Sequence, residues 1–565
     1  MFIPTTKAEL NSLGWQQPDI ILVSGDTYID SPYIGVSIIG QLLIKEGYKV
    51  AIIAQPDINS DLDITRLGDP RLFWGVSAGA VDSMVANYTA LKKPRKADDM
   101  TAGGINNRRP DRAVIAYTNL IKRYYKTNKP IVLGGVEASL RRIAHYDFWD
   151  NSVRRSIIFD SKADLIVYGM GEKTIIELAD KINAGQDYRD IRGICYIDSM
   201  AKSEYIELPS FEQVREDKKS FIEMFDHFYK NNDPINSKGL VQKHGNRYLI
   251  QNPPSPHLTA IELDKIYELN YEYDVHPFYK IFGKTKALDT IRFSITSHRG
   301  CFGECNFCAI TMHQGRRIVS RSKESIIRET KRLAQKSDFK GHIFDVGGAT
   351  ANMYDMSCKI MDRIGPCGEK RCMTPDICKA MKIDHHSQVS LLKDLQQLPG
   401  MKKISIGSGL RYDLIISDKK SGEEYFDNLV ENHVSGQLKI APEHVQDDVL
   451  SFMGKTSADY LKQFREKFNK KSKEFYKNQF LTYYFIAAHP GCDENDMRDL
   501  NNFIKNELKL NPEQVQIFTP TPSTYSTLMY YTGIDPSTGK EIFVERDPLR
   551  KERQKKIIVE ENKKK

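Results

Sequence analysis

At 565 residues the chain exceeds a single ordinary core, so two or three domains are expected. With 40% hydrophobic and 28% charged residues it has the balance of a globular protein able to bury its cores, which excludes bulk disorder. The net charge of +8 is small for this length and gathers partly in the terminal run RKERQKKIIVEENKKK, which reads as a solvated end.

No run of about eighteen uncharged apolar residues occurs, and MFIPTTKAELNSLGW lacks a basic segment followed by a continuous apolar one. Neither export nor membrane insertion is expected. Nine cysteines are too sparse for a disulfide framework, and seven of them lie between Cys301 and Cys378. That crowding reads as metal chemistry in a reducing compartment, and the expected location is the cytoplasm.

Along the chain, residues 1–198 alternate short β-branched runs (DIILVSG, YKVAIIA, KPIVLGG, ADLIVYG, IRGICYI) with amphipathic stretches. This predicts parallel βα units in a doubly wound, Rossmann-like α/β sheet, whose ligands sit at the strand C-terminal ends. The polar, basic stretch from about 81 to 111 has little periodicity and is expected as a long surface loop. Residues 199–285 change to a charged helical pattern and an aromatic, proline-containing connector, read as a helical linker. A second alternating series fills 286–535, with candidate strands IRFSIT, HIFDVGG, KKISIGSG, QLKIAPE, LTYYFIAAH and VQIFTP. Six such repeats predict a partial or complete (β/α) barrel, interrupted by a cysteine-rich insertion at 353–386. Residues 536–565 are expected as a charged tail.

The first barrel strand runs directly into HRGCFGECNFCAI, with Cys301, Cys305 and Cys308 in C-x3-C-x2-C spacing. Glycines at 300 and 303 ease the wrapping of a loop around a cluster on which several thiolates converge. Three thiolates hold three irons of a four-iron, four-sulfur (4Fe-4S) cluster and leave the fourth open. An open iron can chelate the amino and carboxylate groups of S-adenosylmethionine (SAM). One electron entering the sulfonium then breaks a carbon–sulfur bond, giving methionine and a 5′-deoxyadenosyl radical. The competing reading is a zinc knuckle closed by His298 or His313.

The run SITSHRGCFGECNFCAITMHQGRRIVSRSKESI resembles the cluster loop of radical SAM proteins, and more narrowly that of their YgiQ family. The similarity continues in GGVEASLRRIAHYDFWDNSVRRSIIFDSKADLIVYGMGE, DVGGATANMYDMSCK, SGLRYDL, LKIAPEH and YFIAAHPG, and spans most of residues 10–535. It implies an N-terminal cobalamin-domain-like Rossmann unit, a radical SAM barrel and a 4Fe-4S cluster. It supplies no substrate. Such a cluster also calls for a reducing electron donor of flavodoxin or ferredoxin type.

Around that cluster, Gly347 and Gly348 end the second barrel strand, where backbone can approach the SAM amino group; an ordinary turn is the alternative. Ser408, Arg411 and Glu443 lie past the third and fourth strands, placed to hold the SAM carboxylate and ribose. Surface ion pairing would explain Arg411 or Glu443 equally. In the insertion, Cys358, Cys367, Cys372 and Cys378 form a second set, for a structural zinc or an auxiliary iron–sulfur cluster. Spacing does not separate zinc from iron, His385 or His386 could replace one thiolate, and four independent thiols remain the plain alternative. The loop GDTYIDSPYIG has Asp26 and Tyr28 but no histidine in a D-x-H-x-x-G pattern, which counts against cobalamin.

The leading expectation is hydrogen abstraction from an unidentified substrate. The alternative is a radical SAM methyl- or methylthiotransferase; of these a methylthiotransferase would want a second cluster on N-terminal cysteines, whereas the first 290 residues hold only Cys195. A non-enzymatic metal-binding regulator or RNA-binding protein would have no need of an open iron. Nucleic acid as a partner is thus left without support.

Overall fold

The computed structural model describes residues 1–126, 128–512 and 514–560. The chain divides into two compact units. The first comprises Met1–Leu258 and Lys265–Arg292 with Thr521–Ser523; the second comprises Thr259–Asp264 and Phe293–Pro520 and resumes at Thr524.

The first unit is built on β1 (Ile20–Ser24), β2 (Val50–Ala54), β3 (Phe73–Ser77), β4 (Ile131–Gly134) and β5 (Leu165–Val167). They pair in parallel in the order β2-β1-β3-β4-β5. Every residue of IILVS and VAIIA is buried, as in a sheet covered on both faces. One covering helix, α1 (Gly35–Lys45), buries Ile38, Leu42 and Leu43; another, α2 (Ala113–Tyr124), buries Val114, Tyr117, Leu120 and Ile121. The strand order reverses between β1 and β3, the place where sheets of this order bind ligands.

Two sequence-based expectations change here. Residues 199–258 are not a linker: β6 (Ile194–Asp198), β7 (Ile206–Leu208), β8 (Leu240–His244) and β9 (Arg247–Gln251) extend the same sheet to nine strands among the described residues. The extension runs β5-β6-β9-β8-β7, with β8 and β9 an antiparallel hairpin turning at Gly245, φ 62°. The signal was present in LVQKHGNRYLIQ, two alternating runs about a Gly-Asn turn.

Nor is 81–111 a plain surface loop. The Arg109 side chain is fully buried, with Nη2 2.5 Å from Asp26 Oδ1 and 3.2 Å from Asp98 Oδ2. Asp26 also accepts from the Ala80 N–H at 2.6 Å, and a Cβ on Gly79 would fall 2.3 Å from its carboxyl carbon. This segment therefore packs onto the C-terminal ends of β1 and β3. Composition hides such burial, because charge runs ordinarily face water.

The second unit contains β10 (Ser294–Thr296), β11 (His342–Ile343), β12 (Asp345–Gly347), β13 (Ser357–Cys358), β14 (Met381–Lys382), β15 (Lys403–Ile404), β16 (Gln437–Glu443), β17 (Phe480–Ala487) and β18 (Gln514–Ile517). β10 pairs with β12, β11 with β15, and β16 with β17 and β17 with β18, all in parallel; a bridge from Leu410 to Ile440 links the third strand to the fourth. Among the described residues no pairing joins β18 back to β10, so the barrel is partial. β13 and β14 form a small antiparallel pair in the insertion. Amphipathic helices cover the outside: α3 (Lys323–Ala334) buries Ile326 and Leu333, and α4 (Asp459–Glu474) buries Leu461, Phe464 and Phe468.

The expected charged tail is instead largely a packed helix. Pro548–Val559 is helical, with Ile557 and Ile558 buried and Gln554 Oε1 accepting from the Ala488 N–H at 2.9 Å. Lys551 reaches the Tyr530 hydroxyl at 2.8 Å, its apolar stem buried behind a bonded head. Residues 561–565 lie outside the described residues. No helix of the described residues is long and apolar enough to cross a membrane.

Buried rings make stability pH-dependent in both units. Desolvation pushes His145 in the first unit and His298 and His433 in the second down to about 4. The folded chain thus keeps these rings neutral, whereas an unfolded chain protonates them near 6.5. Their stabilisation is complete above that value and is lost as pH falls from about 6.5 towards 4, by about 1.4 kcal/mol per pH unit for each ring. Urea midpoints measured at pH 7 and pH 5 are expected to be lower at pH 5; equal midpoints would contradict this.

Candidate metal centre

β10 delivers the chain to the loop that carries Cys301, Cys305 and Cys308. Gly300 turns it at φ 86°, and a Cβ there would fall 1.9 Å from the Arg317 carbonyl oxygen, so only glycine fits. The loop is tied to its surroundings by main-chain bonds. Cys301 N–H donates to Gly315 O at 3.3 Å, Asn306 N–H to Met453 O at 2.8 Å, and Ser526 N–H to Asn306 O at 2.9 Å. Gly300→Ala is expected to cost about 1–3 kcal/mol of local strain and to lower iron retention after anaerobic reconstitution. A variant with the full iron content would contradict that role.

Two of the three sulfurs gather around Gly303. Its N–H donates to Cys301 Sγ at 3.3 Å, and a Cβ on it would lie 3.2 Å from Cys301 Sγ and 3.8 Å from Cys305 Sγ. Arg411 Nη1 reaches the same place, 3.7 Å from Cys305 Sγ. Burial, helped by the neighbouring Cys305, pushes the Cys301 thiol up to about 11 and the Cys308 thiol up to about 12. Thiolates here call for a compensating cation, and iron supplies one.

Among the described residues no three His, Cys, Asp or Glu side chains stand as ligands of a single ion. A zinc knuckle needs a fourth protein ligand, whereas a 4Fe-4S cluster can be held by three thiolates on three of its irons. His298 is buried and hydrogen-bonded to the Ser297 hydroxyl at 2.9 Å, and its ring fills the space where a Gly348 side chain would project. The loop residues thus fit a cluster.

The other sequence-derived candidates fall around the same loop. Gly347 closes β12 opposite Thr296 of β10, and its carbonyl accepts from the Ser297 N–H at 2.6 Å. Gly348 follows, with no room for a side chain, since a Cβ would lie 2.6 Å from His298 O. Ser408 is held by Asp345, whose Oδ1 accepts from the Gly407 and Ser408 N–H groups at 2.8 and 3.0 Å. Arg411 makes a two-pronged contact with Asp413, Nε to Oδ1 at 3.0 Å and Nη2 to Oδ2 at 2.5 Å. Burial alone would lower the Arg411 pKa, but Asp413 and the Cys305 and Cys301 sulfurs hold it above the ordinary value. Glu443 ends β16 at φ 69° beside a β-bulge; burial raises its carboxyl, opposed by Lys455 and Arg411. Its charge acts on Cys308, which places it within the same neighbourhood.

Sequence reasoning missed Asp345, Asp413 and Glu304. Asp345 opens the DVGG run and Asp413 is the penultimate residue of SGLRYDL, so both stood in quoted motifs. Glu304 lies inside the loop, buried, with φ 43° and an ion pair to Arg316 at 3.0 Å.

The second cysteine set is only partly brought together. Cys358 is buried in an apolar cluster against which Cys301, Cys372 and Cys378 pack. Cys367 is exposed. Burial pushes the Cys372 thiol up to about 12, with Glu304, Cys358 and Cys378 adding to the effect. His385 is committed elsewhere, with Nδ1 2.8 Å from Asp418 Oδ2 and Nε2 3.1 Å from Asn352 Nδ2, and His386 is exposed. The isolated cysteines Cys195 and Cys492 are both fully buried.

The radical SAM N-terminal family matches residues 2–294 of this chain. A UPF0313 protein of Fusobacterium nucleatum is 53% identical over 563 residues, covering 100% of this chain and 99% of that protein. Two solved structures share the fold with a TM-score of 0.50. The radical SAM methyltransferase TsrM of Kitasatospora setae, with cobalamin and a 4Fe-4S cluster bound, is 14% identical, covering 90% of this chain and 77% of its own. The cobalamin-dependent SAM radical enzyme OxsB, with aqua-cobalamin bound, is 13% identical, covering 93% of this chain and 57% of its own.

These neighbours overturn the expectation, drawn from GDTYIDSPYIG, that cobalamin is disfavoured: the fold is one in which cobalamin-bound structures have been solved. With the family match covering residues 2–294 and a relative matching end to end, this chain belongs to the UPF0313 family of radical SAM proteins and is a radical SAM enzyme.

Proposed function

We propose that Cys301, Cys305 and Cys308 hold the 4Fe-4S cluster and that the protein, of the YgiQ type, uses the radical derived from SAM to abstract hydrogen from its substrate. The observation that carries this is the gathering of the Cys301 and Cys305 sulfurs and the Arg411 guanidinium around a side-chain-free position, Gly303, in the loop that follows β10. When bound, the cluster supplies the electron that splits the sulfonium of SAM.

The residues do the rest by position. Arg411, oriented by Asp413, holds Cys305 and sets a positive charge beside the sulfurs. Gly347 and Gly348 present bare backbone at the end of β12 for the SAM amino group. Ser408, held by Asp345, and the buried Glu443 line the approach to the carboxylate and ribose. A flavodoxin- or ferredoxin-type donor supplies the electron. Cys195, fully buried, is unsuited to the N-terminal cluster of a methylthiotransferase.

The test is a dithionite-driven assay on anaerobically reconstituted protein. Methionine and 5′-deoxyadenosine should appear in equal amounts. Their absence from protein with full iron content would refute the reading.

A further inference from the structure

The insertion at 353–386 raises a question of what holds it. Residues 365–380 form neither helix nor strand, a stretch longer than structureless loops usually run without a functional reason. Its main-chain bonds include two that involve cysteines. Cys378 N–H donates to Cys372 O at 2.8 Å, and Met381 N–H to Cys378 O at 3.0 Å. Cys358 of β13 pairs with Met381 of β14. The backbone therefore draws Cys358, Cys372 and Cys378 together from positions twenty residues apart in sequence.

The side chains meet in a methionine-rich cluster. Met353, Met356, Met361, Met373 and Met381 surround Cys358, with Cys372 and Cys378 packed against them. The fourth cysteine of the set, Cys367, faces solvent. A structural zinc ion is closed by four ligands, but Cys367 is exposed and His385 is bonded to Asp418 and Asn352, which leaves three thiols. Three thiolates are enough for a four-iron cluster.

Cys301 packs on the same methionine cluster, and the charge of Glu304 from the first loop acts on Cys372. The second trio therefore lies beside the first. From this arrangement we infer that Cys358, Cys372 and Cys378, without Cys367, bind a second iron–sulfur cluster that ties the insertion to the catalytic loop. The inference rests on the proposed function in one respect, that the first trio holds a cluster of its own.

The test uses the full chain reconstituted anaerobically with ferrous iron and sulfide. The Cys301→Ala/Cys305→Ala/Cys308→Ala protein is expected to keep about half of the wild-type iron and sulfide, and adding Cys372→Ser to remove the remainder. Cys367→Ser alone should keep the whole complement. No iron in the triple variant, zinc in place of iron, or loss of half the iron from Cys367→Ser would each overturn the proposal. Should the triple variant fail to fold, the wild-type chain decides: about eight irons and eight sulfides per chain support two four-iron clusters and about four refute them. Failure of the underlying reading is read separately, as SAM cleavage that persists in the triple variant.

Discussion

Cys305→Ala is expected to leave a folded protein whose SAM cleavage has fallen at least about a thousandfold, equivalent to roughly 4 kcal/mol of barrier. Cys305 is half-buried in a loop rather than a core strand, so its loss removes little packing. What it removes is the central thiolate of the C-x3-C-x2-C loop and the sulfur that Arg411 Nη1 faces at 3.7 Å. Circular dichroism should match the wild type while the iron content drops. Cleavage retained at the wild-type rate would mean that another set of ligands holds the reacting cluster.

The second large effect is expected at Asp413. Its carboxylate binds Arg411 through both oxygens, accepts from the Thr456 hydroxyl at 3.0 Å and from the Leu414 N–H at 3.0 Å, and is itself buried. Asp413→Ala would strand a guanidinium in a dry site beside the thiols, a change that costs about 3–5 kcal/mol when a buried pair is broken. Denaturant midpoints should fall accordingly. SAM cleavage should drop by roughly ten- to a hundredfold, the worth of one charge-assisted hydrogen bond lost from the site. An unchanged midpoint together with unchanged cleavage would show that Arg411 has other means of support.

Much of this was legible in the sequence, for physical reasons that can be named. IILVS and VAIIA read as buried strands because a parallel sheet covered on both faces has no solvent side to demand polar residues. The barrel strands were legible as short runs rich in β-branched and aromatic residues, of which β16 and β17 bury alternate positions. Cysteine spacing singled out the first loop because ligands of one cluster must lie within a few residues of each other when they share a loop.

The errors share a cause as well. Arg109, Asp26 and Asp98 form a buried ion-pair set whose members are separated by up to 83 residues, so local pattern carries no trace of it. The terminal helix hid behind its lysines, since Lys551 and Gln554 are buried by bonding at their polar ends rather than by being apolar. The division of the second cysteine set into three buried or half-buried thiols and one exposed was likewise invisible, because it follows from the β13–β14 pairing and not from spacing. The argument against cobalamin leaned on one absent side chain where the fold as a whole was the better guide.

The central claim is that three cysteines of one loop hold a four-iron cluster with one iron open to SAM. It is tested most directly by electron paramagnetic resonance of the reduced, anaerobically reconstituted protein, recorded before and after addition of SAM. The account predicts a reduced-cluster signal that shifts when SAM binds, and that both signal and shift are lost when Cys301, Cys305 and Cys308 are all replaced by Ala, apart from any SAM-insensitive signal from the second trio. A SAM-dependent shift that survives those three substitutions would contradict it.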